Sequence, residues 1–517
     1  MAQPTKSSIL KLKFHNNILN ALKAEKLVGR DANAVDSRTR MVKDAHYAWA
    51  HPLAPRKPKL ISTVPEMLQK LGLEVDEAFT DVLSGKRIPP NITPWAYAYG
   101  GHQFGYWAGQ LGDGRAMSIC QGTSNGELWE LQLKGCGPTA FSRNSDGLAV
   151  LRSSIREYLA AEAMHGLGVP TSRSVALIVI PNRMVEREVL ETGAVVTRCA
   201  PGWIRFGNFE LFYARQDIVN LKLLADYTMQ AYFGLSNGQY DQFLARVVEK
   251  TADMIAGWQA VGFCHGVMNT DNFSVLGITI DYGPFQFLDV YDPQYVCNHS
   301  DTEGRYSFNS QPDIGLWNLA RLASALSPLL SANSSEMLTD ALKKYAPRFK
   351  HTYRSLMSKK FGFHEPSEVA DTLIEQFLNF MSDYKMDYTL SLRAISNAEL
   401  GTLDTEILEL LRTYCTDRTS MDTFASRLNA WWLAYNQASK SGLERTQLML
   451  KSNPKFVMRN SVTQNIIEQA ESGDYSGIDE YLNVLKSPFQ EGTREQVARF
   501  GQPVAPTELG LKCSCSS

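Results

Sequence analysis

His265-Gly266-Val267-Met268-Asn269-Thr270-Asp271-Asn272, followed by Ile278-Thr279-Ile280-Asp281-Tyr282-Gly283, is the stretch on which the reading of this chain turns. The β-branched run Ile278 to Ile280 predicts a short strand. It separates an amide oxygen, Asn272, from a carboxylate, Asp281. Hard divalent cations prefer such oxygens, so the two are candidate ligands for Mg²⁺, with Mn²⁺ as the alternative.

Protein kinases carry a histidine, a catalytic aspartate two residues on, a metal-binding asparagine five further and then Asp-Phe-Gly. His265, Asn272 and Asp281-Tyr282-Gly283 fit that order, but the base position is Val267. Valine accepts no proton, so ordinary phosphotransfer is broken while the metal pair survives. Asp271, beside Asn272, is the nearest substitute base. The rival reading is a helix–loop–strand connection with incidental Asp and Asn.

Upstream, Gly109-Gln110-Leu111-Gly112-Asp113-Gly114-Arg115 precedes a β-like run. Its glycines let backbone amides approach phosphate oxygens, and Arg115 adds a fixed cation. Glycine-dense turns are mostly just turns, so the loop gains weight only from its context. Lys134 ends the alternating run Leu131 to Leu133, where a kinase places its phosphate lysine, although a solvated edge lysine reads the same way. Glu157 lies on a helix stripe of small residues (Ser153, Ser154, Ala160, Ala161) and is the expected ion-pair partner of Lys134, with Glu162 as a rival. Arg198, at the end of a strand, and Arg205, just beyond it, are further cations for a polyphosphate, although such arginines are more often salt-bridged surface residues. Asp146-Gly147 is a turn by default.

Strands are predicted at Ala116 to Cys120 and Leu128 to Leu133, joined by Ser124-Asn125-Gly126, and again at Ser174 to Ile180, Met184 to Leu190 and Ala194 to Cys199. Helices are predicted at Leu151 to Gly166, Ile218 to Phe233, Tyr240 to Val261 and Ile314 to Leu326, with more after Glu336. The expected class is α+β, a bilobal protein-kinase-like fold with a small antiparallel sheet carrying one helix and a larger helical lobe. Its units are expected at 1–95 (an N-terminal wrapping segment), 96–215 (sheet lobe with nucleotide loops), 216–400 (helical lobe with the metal and catalytic residues) and 401–517 (a helical extension with a cysteine tail).

The chain has 517 residues, with 52 basic against 54 acidic, so no strong global field draws it to nucleic acid or an anionic membrane. No apolar run approaches the roughly 18 residues of a membrane span. Residues 1–24 hold lysines and no acid but lack the arginines of a typical transit peptide. Six cysteines are scattered without metal-ligand spacing, whereas Cys513 and Cys515 form a Cys-Ser-Cys triplet at the end of the chain.

The motifs Tyr99 to Gly105, Gln110 to Arg115, Gln132 to Phe141, His265 to Asn272 and Asp281 to Asp292 closely resemble the selenoprotein O family, from about Phe14 to the end of the chain. That family is described as pseudokinases that bind ATP in a flipped orientation and attach AMP to Ser, Thr or Tyr of other proteins. The resemblance implies that Gly112, Gly114, Arg115, Lys134, Asp146, Gly147, Arg198, Arg205 and Asp281 contact nucleotide. It further implies that Asp271 accepts the proton and that Asn272 and Asp281 hold the metal. It implies protein partners bearing hydroxyls and a mitochondrial location, with a cytoplasmic one as the alternative. Several eukaryotic members carry selenocysteine third from the end, where this chain has Cys515. Cys297 lies in the segment after Asp281, where a tail thiol of Cys513 or Cys515 is expected to reach it. Two unrelated thiols are the equal alternative. The competing functions are a kinase that uses Asp271 as base and a silent nucleotide-binding module.

Overall fold

The computed structural model describes residues 7–26, 36–330, 335–417, 421–439 and 442–511. The class is α+β. Its main sheet is antiparallel throughout and runs β1 (Tyr47–Trp49), β3 (Trp95–Tyr97), β6 (Ala116–Ser124), β7 (Glu127–Lys134), β10 (Leu190–Ala200), β9 (Arg173–Glu186), β2 (Lys59–Thr63), with β8 (Ala149–Val150) paired to β10. Two-residue strands form separate hairpins: β4 (His102–Gln103) with β5 (Tyr106–Trp107), and β11 (Phe263–Cys264) with β12 (Gln286–Phe287).

The β6–β7 hairpin turns at Asn125 and Gly126, both with positive φ (52° and 81°), as a tight hairpin of this twist requires. Three strands expected between Ser174 and Cys199 are two. Pro181-Asn182 does not end β9, which runs on to Glu186 before the chain turns, and a bulge at Thr192/Gly193 absorbs the change in register. The first 95 residues do more than wrap: β1 and β2 form both edges of the path and β3 lies inside β1. Ile278 to Ile280 forms no strand; Thr279 makes only an isolated bridge to Thr171.

Helices α1 (Asn17–Ala21), α2 (Pro65–Leu71) and α3 (Glu77–Leu83) are short, and α4 (Leu151–Gly166) packs on β9 and β10. After the sheet come α5 (Phe206–Ala214), α6 (Ile218–Thr228), which passes into a π turn over Met229–Phe233, α7 (Tyr240–Val261) and α8 (Gln311–Leu326). Gly262, with φ 70°, ends α7 by satisfying its last carbonyls. The remaining helices are α9 (Ser335–Lys343), α10 (Tyr345–Lys360), α11 (Glu368–Asp383), α12 (Tyr388–Asn397), α13 (Thr405–Thr413), α14 (Phe424–Ala438), α15 (Leu443–Ser452), α16 (Asn460–Glu471), α17 (Ser476–Lys486) and α18 (Arg494–Phe500). α17 and α16 return to pack on α4, which fixes the far end of the chain against the helix that carries Glu157.

One apolar core runs from the sheet through α7 and α8 to α17, and a second, rich in aromatics, joins α10, α11, α12 and α14. The sheet carries its site because β7 alternates: Leu131 and Leu133 face one side, Glu130, Gln132 and Lys134 the other, and both sides are buried.

Candidate active site

The register places Lys134 between Ala116 of β6 and Val196 of β10, and Gln132 directly opposite Arg198. Lys134 therefore sits on an interior strand, only 9% exposed, and not on an edge. Its ammonium lies 2.5 Å from Glu157 and 3.7 Å from Asp281. Glu162 is committed elsewhere, to Arg173 at 2.7 Å and to the Ser174 amide.

Arg198 Nη1 bridges Glu157 and Asp281, 2.7 Å from each, and Nη2 donates to Gln132. Arg205, immediately before α5, donates from Nη1 to the second oxygen of Asp281 and to the Asp271 carbonyl, the latter at 2.8 Å. Each guanidinium lies over an aromatic ring, Arg198 on Trp203 at 4.4 Å and Arg205 on Tyr99 at 4.7 Å, which holds it flat beside the carboxylates. Burial alone would raise the Asp281 carboxyl, but Arg205, Arg198 and Lys134 outweigh it and hold the group well below the usual range. Glu157 follows the same logic: burial raises it, Lys134 and Arg198 outweigh burial, and the result lies below normal.

Lys134, Arg198, Arg205 and Asp281 line a cleft of about 420 Å³ together with Gly112, Gly114, Arg115, Val267, Asp271 and Asn272. Five cations (Arg115, Lys134, Arg143, Arg198, Arg205) face three carboxylates (Asp113, Asp271, Asp281), an excess that suits a polyanion. Burial lowers the affinity of Arg115 for its proton, against the charges of Glu157 and Asp281. At Gly112, φ is 115° and a Cβ would stand 2.3 Å from the Phe141 ring, so the loop needs glycine to fold over that ring.

Asp271 is 7% exposed, and its Oδ1 has no hydrogen-bond partner among the described residues. Its Oδ2 accepts from Gln103 Nε2 at 3.3 Å. Burial pushes its carboxyl up to about 7, with Arg205 opposing. Asn272 donates from Nδ2 to the Val267 carbonyl at 3.0 Å, which leaves its Oδ1 available as an acceptor. His265 is buried, and its Nε2 lies 3.1 Å from the Ile280 carbonyl, so it ties this loop to the approach to Asp281. Asp281 itself has φ 56°, a left-handed residue held by its cations.

The oxygens of Asn272 and Asp281 form a donor pair fitting a hard cation, and Asp271, whose Oδ1 is unpartnered among the described residues, lines the same cleft. No cluster of three or more His, Cys, Asp or Glu suited to a metal occurs among the described residues. Asp146 and Gly147 are not brought to the cleft wall. Asp146 pairs with Arg187 at 2.9 Å and accepts from the Leu148 amide, and a Cβ at Gly147 would meet the Gly137 carbonyl carbon at 2.3 Å. Cys297 is buried with its Sγ 3.5 Å from that of Cys264, and burial followed by that neighbour pushes its thiol well up. Cys513 and Cys515 lie outside the described residues.

Sequence reasoning missed Asp113, Gln103, Tyr99 and Arg143 as individual site residues. Asp113 sits inside the glycine loop and Gln103 and Tyr99 inside Tyr99 to Gly105, so those motifs were the available signal. Arg143 follows the Gln132 to Phe141 motif and carries none.

The family described as "Protein adenylyltransferase SelO" matches residues 33–486. Among curated relatives, "Protein nucleotidyltransferase YdiU" of Variovorax paradoxus is 46% identical, covering 86% of this chain and 89% of its own length. The proteins of the same name from Bordetella avium and Thiobacillus denitrificans are 41% and 42% identical, covering 94% and 91% of this chain and 99% and 96% of their own lengths. A solved chain described as "WaaP in complex with acyl carrier protein", at 14% identity over 46% of this chain and 86% of its own with a TM-score of 0.19, is too distant to bear on the fold. The match across most of its length and these relatives place this chain in the protein adenylyltransferase SelO family.

Proposed function

We propose that the cleft transfers AMP from ATP to hydroxyl groups of Ser, Thr or Tyr in other proteins, on a bilobal, kinase-like arrangement of sheet and helices. The carrying observation is the pair Val267 and Asp271 on one cleft wall: an apolar side chain at a kinase's base position, and four residues on a buried carboxylate with an unpartnered oxygen. The acceptor oxygen attacks the α-phosphorus, the bond from that phosphorus to the bridging oxygen breaks, and pyrophosphate leaves. Asp271 Oδ1 takes the hydroxyl proton, and a carboxyl raised to about 7 is basic enough to hold it.

Arg198, Arg205, Lys134 and Arg115 stabilise the charge that moves onto pyrophosphate. Gly112 and Gly114 let the loop backbone approach the phosphates, and Asp146-Gly147 sets the rim of the same end. Asn272 and Asp281 would hold Mg²⁺, or Mn²⁺, which would neutralise the phosphates and polarise the α-phosphoryl group. Glu157 keeps Lys134 and Arg198 aimed.

The partners in this reading are proteins bearing hydroxyls, and the balanced overall charge gives no general pull towards a polyanion; no helix among the described residues is long and apolar enough to cross a membrane. The bacterial relatives support the cytoplasmic alternative over a mitochondrial one. A tail thiol, Cys513 or Cys515, reaching Cys297 would have to open the packing beside Cys264.

The test is ATP labelled at the α or γ phosphate, incubated with the protein, a divalent cation and a lysate. Label from α alone on protein is expected. Transfer of γ alone would make the chain a kinase with Asp271 as base, and neither label would make it a silent binding module.

A further inference from the structure

The hairpin β4–β5 has two faces, and the function proposed above uses only one. In its register His102 pairs with Trp107 and Gln103 with Tyr106. Gln103 turns to Asp271. His102, its neighbour, turns the other way, and its Nδ1 lies 2.6 Å from Glu210 Oε1. The hairpin is pinned along the catalytic loop, since the His102 amide donates to Thr270 Oγ1 at 2.7 Å and the Phe104 amide to the Tyr306 hydroxyl at 2.8 Å.

Beside that second face is a pocket of about 250 Å³ lined by His102, Trp107, Glu210, Tyr213, Ala214 and Arg321. Glu210, on α5, is 3% exposed, yet its Oε2 has no hydrogen-bond partner among the described residues. A buried carboxylate oxygen left this way is costly unless something else donates to it. Trp107 and Tyr213 are 40% and 42% exposed at the same place, an aromatic mouth over a buried acceptor.

We propose that this pocket binds a tyrosine that flanks the acceptor hydroxyl in the protein substrate; the proposal rests on the protein-modifying reading above. The walls call for an aromatic body and the floor for a hydrogen-bond donor. Arg321 lines the same pocket, its guanidinium 5.2 Å over Trp317, so a second cation is disfavoured beside it where a neutral hydroxyl is not. The phenol O–H donates to Glu210 Oε2 as a charge-assisted bond, among the stronger kinds. Phenylalanine would fill the walls and leave the oxygen unpaired. Because Gln103 and His102 are consecutive and an extended chain advances about 3.3 Å per residue, the tyrosine lies within about three residues of the acceptor.

The test uses the full chain and serine peptides with Tyr, Phe, Lys or Ala at each of three positions on either side of the serine. Binding is read by fluorescence polarisation, which needs no transfer, and modification by α-labelled ATP. Tyr at one fixed position should bind about tenfold tighter than Phe, the usual cost of losing a hydrogen bond to a charged acceptor. Glu210→Gln should bring that ratio towards one. Trp107→Ala, a change at the exposed mouth that leaves the buried His102–Glu210 contact in place, should weaken Tyr and Phe peptides alike. Binding indifferent to the flanking residue, or preferring Lys, overturns the subsite. Tyrosine-selective binding without α-label transfer keeps the subsite and removes the proposed chemistry, and α-label transfer without selectivity does the reverse.

Discussion

Two webs of buried charge hold this molecule together, and they differ in how completely they are closed. Around Asp281, two arginines, a lysine and Glu157 converge beside a cleft, and Asp271 Oδ1, Arg198 Nε and Arg205 Nε have no partner among the described residues. Around Arg459, just before α16, the guanidinium reaches Asp387 at 2.6 Å and Asp289 at 3.4 Å, all three are buried, and none is among the unpartnered groups. The second web ties the segment after Asp281 to the C-terminal helices, and none of its three residues lines the Asp281 cleft. Buried charge that ends in mutual satisfaction is architecture, whereas buried charge left with free valences beside a cavity is waiting for a ligand.

Substituting the centre of each web breaks the comparison most sharply. Asp281→Ala should lower α-label transfer by about a thousandfold or more, since it removes a proposed metal contact and leaves two arginines misaimed. Asp281→Asn keeps the shape and should fall nearly as far, with melting temperature separating lost chemistry from lost fold. Equal transfer by Asp281→Asn and the unmodified chain would leave the Asp281 web merely structural.

Arg459→Met should do the opposite, costing about 3–5 kcal/mol of stability because two carboxylates are left buried and unpaired. Asp289 already sits at about 6, raised by burial against the pull of Arg459, so losing that arginine raises it further. Urea denaturation measures the loss. Transfer per folded molecule should stay within about twofold, and a collapse in specific activity would tie this web to the chemistry.

The sequence exposed the first web more fully than the second. Lys134, Glu157, Arg198, Arg205, Asn272 and Asp281 sit in short motifs whose spacing has a chemical reason, and α4 and α7 announce themselves by apolar period and closing glycines. Arg459 carries no local signal: its partners lie 72 and 170 positions away, and only tertiary packing makes them neighbours. The same holds for β1 and β2, short runs whose partners are distant strands. Pro181-Asn182 misled in the other direction, since the β10 pairing carries β9 past a local break signal.

Glu130 sharpens the comparison from a third side, as a buried carboxyl with no cation at all. It accepts from Tyr97 and Ser118, and burial pushes it up to about 8 from an ordinary 4.5, with those hydrogen bonds opposing. The folded state therefore holds a proton that the unfolded state has lost between these values. This stabilising contribution is full below about pH 4.5 and is lost as pH rises through 8, a change of a few kcal/mol. Glu130→Gln should melt with the unmodified chain near pH 4, and increasingly above it as pH rises from 5 to 9. A parallel pH dependence of the two melting curves would show that Glu130 is ionised in the fold.

The smallest effect is expected at Asp146, which the resemblance assigns to nucleotide but which the structure gives to Arg187 and the Leu148 amide at the rim. Its side chain is 38% exposed, so the ion pair contributes little to stability, about 1 kcal/mol at most. Burial tends to raise its carboxyl, but Arg187, the Leu148 amide and Arg115 together hold it below the usual range, so it is a fixed negative charge across the working pH range. Asp146→Ala frees Arg187 beside a cleft already rich in cations. ATP should then bind slightly tighter or unchanged if the carboxylate only restrains Arg187, and several-fold weaker if it receives a hydrogen bond from the nucleotide. Equilibrium binding of ATP, measured for Asp146→Ala and Arg187→Ala together, decides between them: restraint predicts opposite effects of the two substitutions, and direct contact predicts a loss confined to Asp146.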